Sequence, residues 1–271
     1  MAELPELTIL QQQMDQALAG RTITHVEMLQ EKCLNVPVTQ AIASLTGRRI
    51  AAVTRKGKWL QIHLDGELLL LLNLGMGADL WHYAPGAALP AKYQLRIGVD
   101  DGAGFTCRFW WFGYIRLLAA AELPAFKETA KLGPSPLEIT PAELTAIARK
   151  TPRSTAKSLI LDQEKLSGIG NAYAHDILWE ARLHPQRKLG SLTEADLVRY
   201  HGAIVRVMNR AMELGGLEPD FYRGQGNIHD AGRLFLVGYK DGKPCPHCGT
   251  AITKIQTGAT ATFICPACQP E

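Results

Sequence analysis

The chain has 271 residues, 46% hydrophobic and 20% charged. These values are near those of ordinary globular proteins, so collagen-like, mucin-like and strongly disordered classes are excluded and one large or two ordinary domains are expected. With 29 basic and 26 acidic side chains the net charge is +3, a faint pointer to an anionic partner, since phosphate-gripping proteins concentrate Lys and Arg on one face.

In chain order, residues 7–18 place Leu7, Leu10, Met14, Ala17 and Leu18 on one side of a helix, with Pro5 near its first turn and Gly20 at its end. Glu6, close to the helix start, is explained as a complement to the helix dipole. From Ile23 to about Leu118 the period shortens, and β-rich segments at 23–29, 48–57, 58–66, 67–74, 93–102 and 104–113 are separated by Gly, Asp or Pro turns. Six or more such segments predict a sandwich or barrel. The five consecutive leucines of Glu67–Leu74 are far short of a membrane span and read as a buried strand. Prolines 124, 134, 136, 141 and 152 mark a connection with short helical stretches. Helices are predicted over 156–163, 171–182 and 193–214. A Gly- and Asp-rich loop follows at 217–232, where Phe221, Tyr222 and Arg223 point toward binding.

Four of the six cysteines close the chain as Cys245-Pro-His-Cys248 and Cys265-Pro-Ala-Cys268, with 16 residues between the pairs. This is the spacing of a zinc ribbon, in which two knuckles give four thiolates to one structural ion and leave no open position for catalysis. Disulfides need an oxidising compartment, and the first twenty residues have neither the basic and apolar regions nor the cleavage site of a secretion signal. A cytoplasmic protein carrying one Zn is therefore expected. Cys33 and Cys107 read as isolated buried thiols.

Residue 2 is Ala, small enough to favour removal of Met1. The free α-amine then stands beside Glu3, with a reference pKa of about 7.7 to 8.0 that leaves a nucleophilic fraction at neutral pH. Such an amine can form a Schiff base with a sugar aldehyde carbon while a carboxylate moves protons. Further on, Gly168-Ile169-Gly170-Asn171 lies between helices and can offer backbone N–H groups and an amide to a phosphate. It is no P-loop, since Lys-Ser or Lys-Thr does not follow.

Taken together, Glu3-Leu-Pro-Glu6, Arg55-Lys-Gly-Lys58-Trp59, Leu74-Gly-Met76, Phe112-Gly113, Leu132-Gly-Pro-Ser-Pro-Leu137, Lys157 ahead of Leu161-Asp-Gln163, Gly168-Ile-Gly-Asn171-Ala-Tyr173 and the cysteine ribbon occur in a fixed order. In this the chain resembles the formamidopyrimidine-DNA glycosylase and endonuclease VIII family of base-excision repair enzymes over essentially its whole length. The resemblance implies an α+β fold: an N-terminal helix plus β-sandwich domain at 1–120, a linker and the start of the helical part at 121–155, a helix-two-turn-helix DNA-binding domain at 156–235 and a zinc-ribbon hairpin at 236–271. It implies a monomer with no membrane partner, and damaged or other double-stranded DNA lying in the cleft between the halves, in the cytoplasm at the nucleoid. By the same resemblance Ala2 is the nucleophile that attacks C1′ of a flipped nucleotide, Glu3 the general acid/base, and Lys58 a phosphate contact that supports catalysis. Lys157 and Asn171 match contacts at the lesion and its flanking phosphates. Met76 and Phe112 match side chains that enter the stack when the base leaves it, although each sits in an apolar stretch and also reads as core.

Departures from the family pattern cluster at these positions. Ala2 stands where most members have Pro, so the expected intermediate is an imine that must be protonated. Trp110 and Trp111 replace two arginines, which predicts weak or altered preference for the opposite base. Asn73 replaces a common His and Asp176 a common Glu. Thr260 stands where an arginine clamps phosphate, a loss of about 1.5 to 3 kcal/mol unless Lys254 or Arg223 substitutes. The function expected is thus a DNA glycosylase, with AP-lyase activity in view. The alternatives are a non-catalytic protein selective for branched, gapped or abasic DNA, motivated by the lost arginines, and a zinc-stapled protein-interaction module.

Overall fold

The computed structural model describes residues 2–110, 112–217, 221 and 232–271. Trp111, Arg223 and most of the 217–232 loop lie outside the described residues. The chain divides into two compact units. One holds the residues up to Ala130 together with Leu217 and Phe221; the other holds Lys131–Gly216 and the residues from Gly232 onward. No helix among the described residues is long and apolar enough to cross a membrane.

The first unit opens with helix α1 (Leu4–Leu18), which places Leu7, Leu10, Met14 and Leu18 inward at helical spacing. It packs on β2 (Ile50–Lys56). Around it are β1 (Ile23–Met28), α2 (Val38–Leu45), β3 (Trp59–Leu64), β4 (Leu68–Asn73), β5 (Asp79–Tyr83), β6 (Leu95–Val99), β7 (Gly104–Arg108) and β8 (Tyr114–Ala119). Two four-stranded antiparallel sheets result, in the orders β1-β6-β7-β5 and β2-β3-β4-β8, the expected sandwich. The leucine run forms β4, paired on both edges with β3 and β8 and buried over 69–72, as an inner strand with two covered faces must be.

Phe221 departs from expectation. It is fully buried in this unit, its ring 6.1 Å from Phe105 and 5.4 Å from His82. Its N–H donates to Gln13 Oε1 at 2.9 Å and its carbonyl accepts from the His82 N–H at 2.7 Å. An aromatic ring brings a large apolar area into a core, so Phe221 is a core residue of this unit and not a binding side chain.

The second unit contains α3 (Pro141–Lys150), α4 (Ala156–Leu161), α5 (Asn171–Glu180), α6 (Glu194–Glu213) and the hairpin β9 (Thr253–Thr257) and β10 (Thr260–Ile264). Helices α3, α4 and α6 begin at Thr140, Thr155 and Thr193, each with its side chain accepting an N–H of the first turn. Between α4 and α5, Gln163 stitches the turn: its Oε1 accepts from Gly168 N–H at 2.9 Å and its Nε2 donates to the Ile169 carbonyl at 2.8 Å. Gly133 lies against this turn so closely that a Cβ would meet the Lys165 carbonyl carbon at 2.6 Å, which explains the glycine of Leu132-Gly-Pro.

Candidate nucleic-acid interface and amine site

On the first unit the head of α1 gathers acidic groups out of water. Pro5 fits the first turn, and Glu3 and Glu6 form a reciprocal cap. Glu6 Oε2 accepts the Glu3 N–H at 2.8 Å, and its Oε1 accepts the N–H of Leu217 at 2.8 Å. Ala2, Glu3 and Glu6 are all buried. Glu6 therefore does more than complement a dipole: it fixes the backbone on which the Ala2 amine is carried.

Lys58 reaches the same cluster by a different route. The pairing of Lys56 with Trp59 leaves Gly57 and Lys58 as a two-residue hairpin turn, and Gly57 takes the left-handed φ of +55° that such a turn demands. Burial pushes the Lys58 ammonium below its ordinary pKa, while the charges of Glu3 and Glu6 oppose the shift. Of the expected site residues, Glu3 and Lys58 thus belong to one electrostatic cluster together with Glu6, and Ala2 is buried beside Glu3.

A second feature of this unit is a pair of exposed turns. Met76, Trp110 and Phe112 are 41%, 53% and 65% exposed, so the reading of Met76 and Phe112 as core residues is excluded. The local cause is backbone geometry. Asn73 Oδ1 accepts the Gly75 N–H at 3.1 Å, Gly75 and Gly77 adopt positive φ, and Met76 is carried outward between them. Phe112 itself has φ +55°, a conformation that costs a side chain such as Phe about 1 to 2 kcal/mol and that recurs where function fixes the backbone.

On the second unit, Lys157 is only 4% exposed. Its ammonium donates to the hydroxyls of Thr257, Thr260 and Thr262 at 2.9, 2.8 and 2.8 Å. Burial lowers its pKa to about 8. Thr260 in turn donates to Asn171 Oδ1 at 3.1 Å, and Asn171 Nδ2 lies 3.5 Å from the Ala261 carbonyl. Lys157, Thr260 and Asn171 thus form one chain of contacts between the α4–α5 turn and the hairpin, at the position where the arginine was expected. His175, enclosed beneath, has its pKa lowered to about 3 by burial and then by the Lys157 charge, so it is neutral. Lys254 stands on exposed β9, its ammonium 6.0 Å from the Phe263 ring.

The four expected metal ligands come together. The Sγ atoms of Cys245, Cys248, Cys265 and Cys268 lie within 4.8 Å of one another, with Cys245–Cys268 at 3.9 Å and Cys248–Cys265 at 3.4 Å. Four thiolates at Zn–S distances of about 2.3 Å require such separations, so the donor set fits one tetrahedral zinc ion. The indole N–H of Trp179 donates to Cys245 Sγ at 3.3 Å, a support for the ligand of the kind that tunes such sites. Asp176 secures the approach to the ribbon: its carboxylate accepts the N–H groups of Leu236, Val237 and Gly238 at 2.6, 2.9 and 2.8 Å. Neither this role nor that of Glu6 is visible locally in sequence.

Comparison with known proteins agrees with this arrangement. Residues 1–109 match the formamidopyrimidine-DNA glycosylase N-terminal domain, 132–222 the formamidopyrimidine-DNA glycosylase H2TH domain, and 242–270 the zinc finger found in FPG and IleRS. The formamidopyrimidine-DNA glycosylase of Symbiobacterium thermophilum is 36% identical over 276 residues, covering 100% of this chain and 90% of its own. That of Chloroflexus aggregans is 36% identical over 274 residues, covering 99% and 98%. Among solved structures, a complex between Lactococcus lactis Fpg and abasic-site DNA superposes with TM-score 0.90 at 26% identity, covering 100% of both chains. A complex of the wild-type Lactococcus enzyme with N7-benzyl-Fapy-dG DNA gives 0.89 at 25%, covering 99% and 100%. With two buried carboxylates at the head of α1, a stitched helix-two-turn-helix and a four-cysteine ribbon in one chain, the protein belongs to the formamidopyrimidine-DNA glycosylase family.

Proposed function

We propose that this protein is a base-excision repair DNA glycosylase with AP-lyase activity, acting as a monomer on damaged duplex DNA in the cytoplasm at the nucleoid. The observation that carries this reading is the enclosure of Ala2 with Glu3 and Glu6 at the head of α1, with the Lys58 charge set against both carboxylates. After loss of Met1 the Ala2 α-amine attacks C1′ of a nucleotide turned out of the stack. The glycosidic bond breaks and its electron pair leaves on the base, which takes up a proton carried by Glu3, while the amine gives up one of its own. The proton released by the amine passes through the Glu3 carboxylate to O4′, which keeps the electron pair of the broken C1′–O4′ bond, and opening of the sugar ring yields a protonated imine. Loss of a C2′ proton to a carboxylate then expels the 3′ phosphate, which is the lyase step. Lys58 opposes the negative charge of the adjoining phosphate, Asn171 and Lys254 present the second unit to the backbone, and Lys157, buried on Thr257, Thr260 and Thr262, holds the hairpin in place instead of meeting phosphate itself. Zinc, held by Cys245, Cys248, Cys265 and Cys268, supplies folding energy to the hairpin.

Borohydride trapping on DNA with an abasic site tests this. A covalent adduct is expected with the wild type and a much reduced one with Glu3→Gln. Glu6→Gln turns an N–H2 toward a backbone N–H and is expected to slow trapping about tenfold through position alone. No adduct from a chain whose intact mass shows Met1 removed sinks the mechanism and leaves a structure-selective binding protein in its place.

A further inference from the structure

Both oxygens of the Glu6 carboxylate accept backbone amides, Oε2 from Glu3 and Oε1 from Leu217, each at 2.8 Å. The first bond fixes the backbone next to Ala2. The second fixes the carboxylate itself, since a glutamate side chain left to turn about its own bonds would lose the geometry of the first.

The chain supplies that second amide through a particular turn. Helix α6 ends in a Schellman cap, in which the Gly216 N–H donates to the Ala211 carbonyl at 2.8 Å and the Gly215 N–H to that of Met212 at 3.1 Å. Such a cap requires one left-handed residue, here Gly215 at φ +85°, where a Cβ would meet no neighbour within 4 Å and only the conformation demands glycine. Gly216 is left-handed as well, at φ +71°, and the cap does not call for it. The amide that follows it is the one that Glu6 accepts. Four residues further on, the Phe221 N–H donates to Gln13 Oε1 at 2.9 Å. Gln13 stands two helical turns after Glu6 on α1, so one face of this helix holds both amides.

We infer that the backbone N–H of Leu217 is a positioning group for the amine chemistry, acting through Glu6, and that Gly216 and Gln13 keep it in place. The inference rests on the glycosylase reading above and extends its machinery beyond the amine, the carboxylates and the lysine to an amide at the end of α6.

Full-length zinc-loaded protein lacking Met1 is trapped with borohydride on abasic-site DNA in single turnover, and its affinity is measured on a duplex with a stable tetrahydrofuran abasic analogue. Leu217→Pro has no N–H, whereas Leu217→Ala keeps it and loses the same side chain, so their difference reads the amide. Leu217→Pro is expected to be trapped about tenfold more slowly than Leu217→Ala, the scale of one lost hydrogen bond, while both bind the duplex equally well. Gln13→Ala, a change that favours the helix, should slow trapping by about threefold to tenfold without loss of affinity, and it carries the test should Leu217→Pro fail to fold. Gln13→Glu keeps an acceptor oxygen and should restore the rate. Equal trapping of the two Leu217 variants, wild-type trapping by Gln13→Ala, or an affinity that falls as far as the rate overturns the inference alone. No adduct from the wild type sinks the glycosylase reading, and the inference with it.

Discussion

The sandwich unit and the zinc hairpin reach a fixed shape by opposite means. In the first, a continuous apolar cluster runs from Leu7 and Leu10 on α1 through Ile62, Leu70 and Leu72 to Ile97 and Phe105. The hairpin has only a small cluster around Val237, Ile252 and Phe263, to which two of the four thiol side chains belong. What it lacks in apolar area it replaces with the cysteine site, the Asp176 carboxylate on three amides and the Lys157 ammonium on three hydroxyls. A large core can tolerate buried carboxylates at its edge, because the surrounding hydrophobic burial offsets their desolvation. A small one must make each polar contact itself structural.

The sharpest way to break this comparison is to remove the metal. Chelation, or Cys265→Ser, deprives the hairpin of a contribution that reaches about 10 kcal/mol in isolated zinc peptides. The expected result is loss of hydrogen-exchange protection over Thr253–Ile264, with the protection of β3 and β4 retained. Next in size, Leu10→Ala empties part of the sandwich core and should lower its stability by about 2 to 5 kcal/mol in urea unfolding, leaving zinc affinity unchanged. Asp176→Ala orphans three N–H groups and should cost about 2 to 3 kcal/mol, read as weakened zinc retention rather than as sandwich unfolding. The smallest effect is one of pH. Lys157 titrates near 8 in the fold, below its ordinary value of 10.5, so between these values the unfolded chain binds more protons than the native one and the Lys157 contribution to stability rises with pH. Lys157→Met should abolish that rise in melts of the second unit taken from pH 8 to 10.5.

What sequence reveals divides along the same line. The cysteine ribbon, the α1 stripe and the leucine strand are legible because their signals are periodic or local: a two-residue gap between thiols, a helical period, a continuous apolar run. β5, β8 and α2 are short and leave no distinct pattern of their own. The partners of Lys157 lie about a hundred residues ahead, at Thr257, Thr260 and Thr262, and no spacing rule reaches so far. Asp176 looks from sequence like a shortened Glu, since the amides that it binds belong to a distant turn. Met76 and Phe112 are ambiguous because apolar neighbours predict burial, and only the backbone of Gly75, Gly77 and Phe112 itself turns them outward. The binding reading of Phe221 fails for the converse reason, because an aromatic among polar neighbours in sequence is as well suited to enter a core.

The clasp of Glu6 on Leu217 spans 211 positions of the chain, and this has a consequence for synthesis. The strands of the sandwich are complete by Ala119, so they can assemble while the rest is still being translated. The N–H that locks Glu6, and through it the backbone beside Ala2, does not exist until residue 217 has been added. A nascent chain whose strands have assembled therefore still lacks the N–H that holds the Glu6 carboxylate, and the backbone beside Ala2 is fixed only near the end of translation.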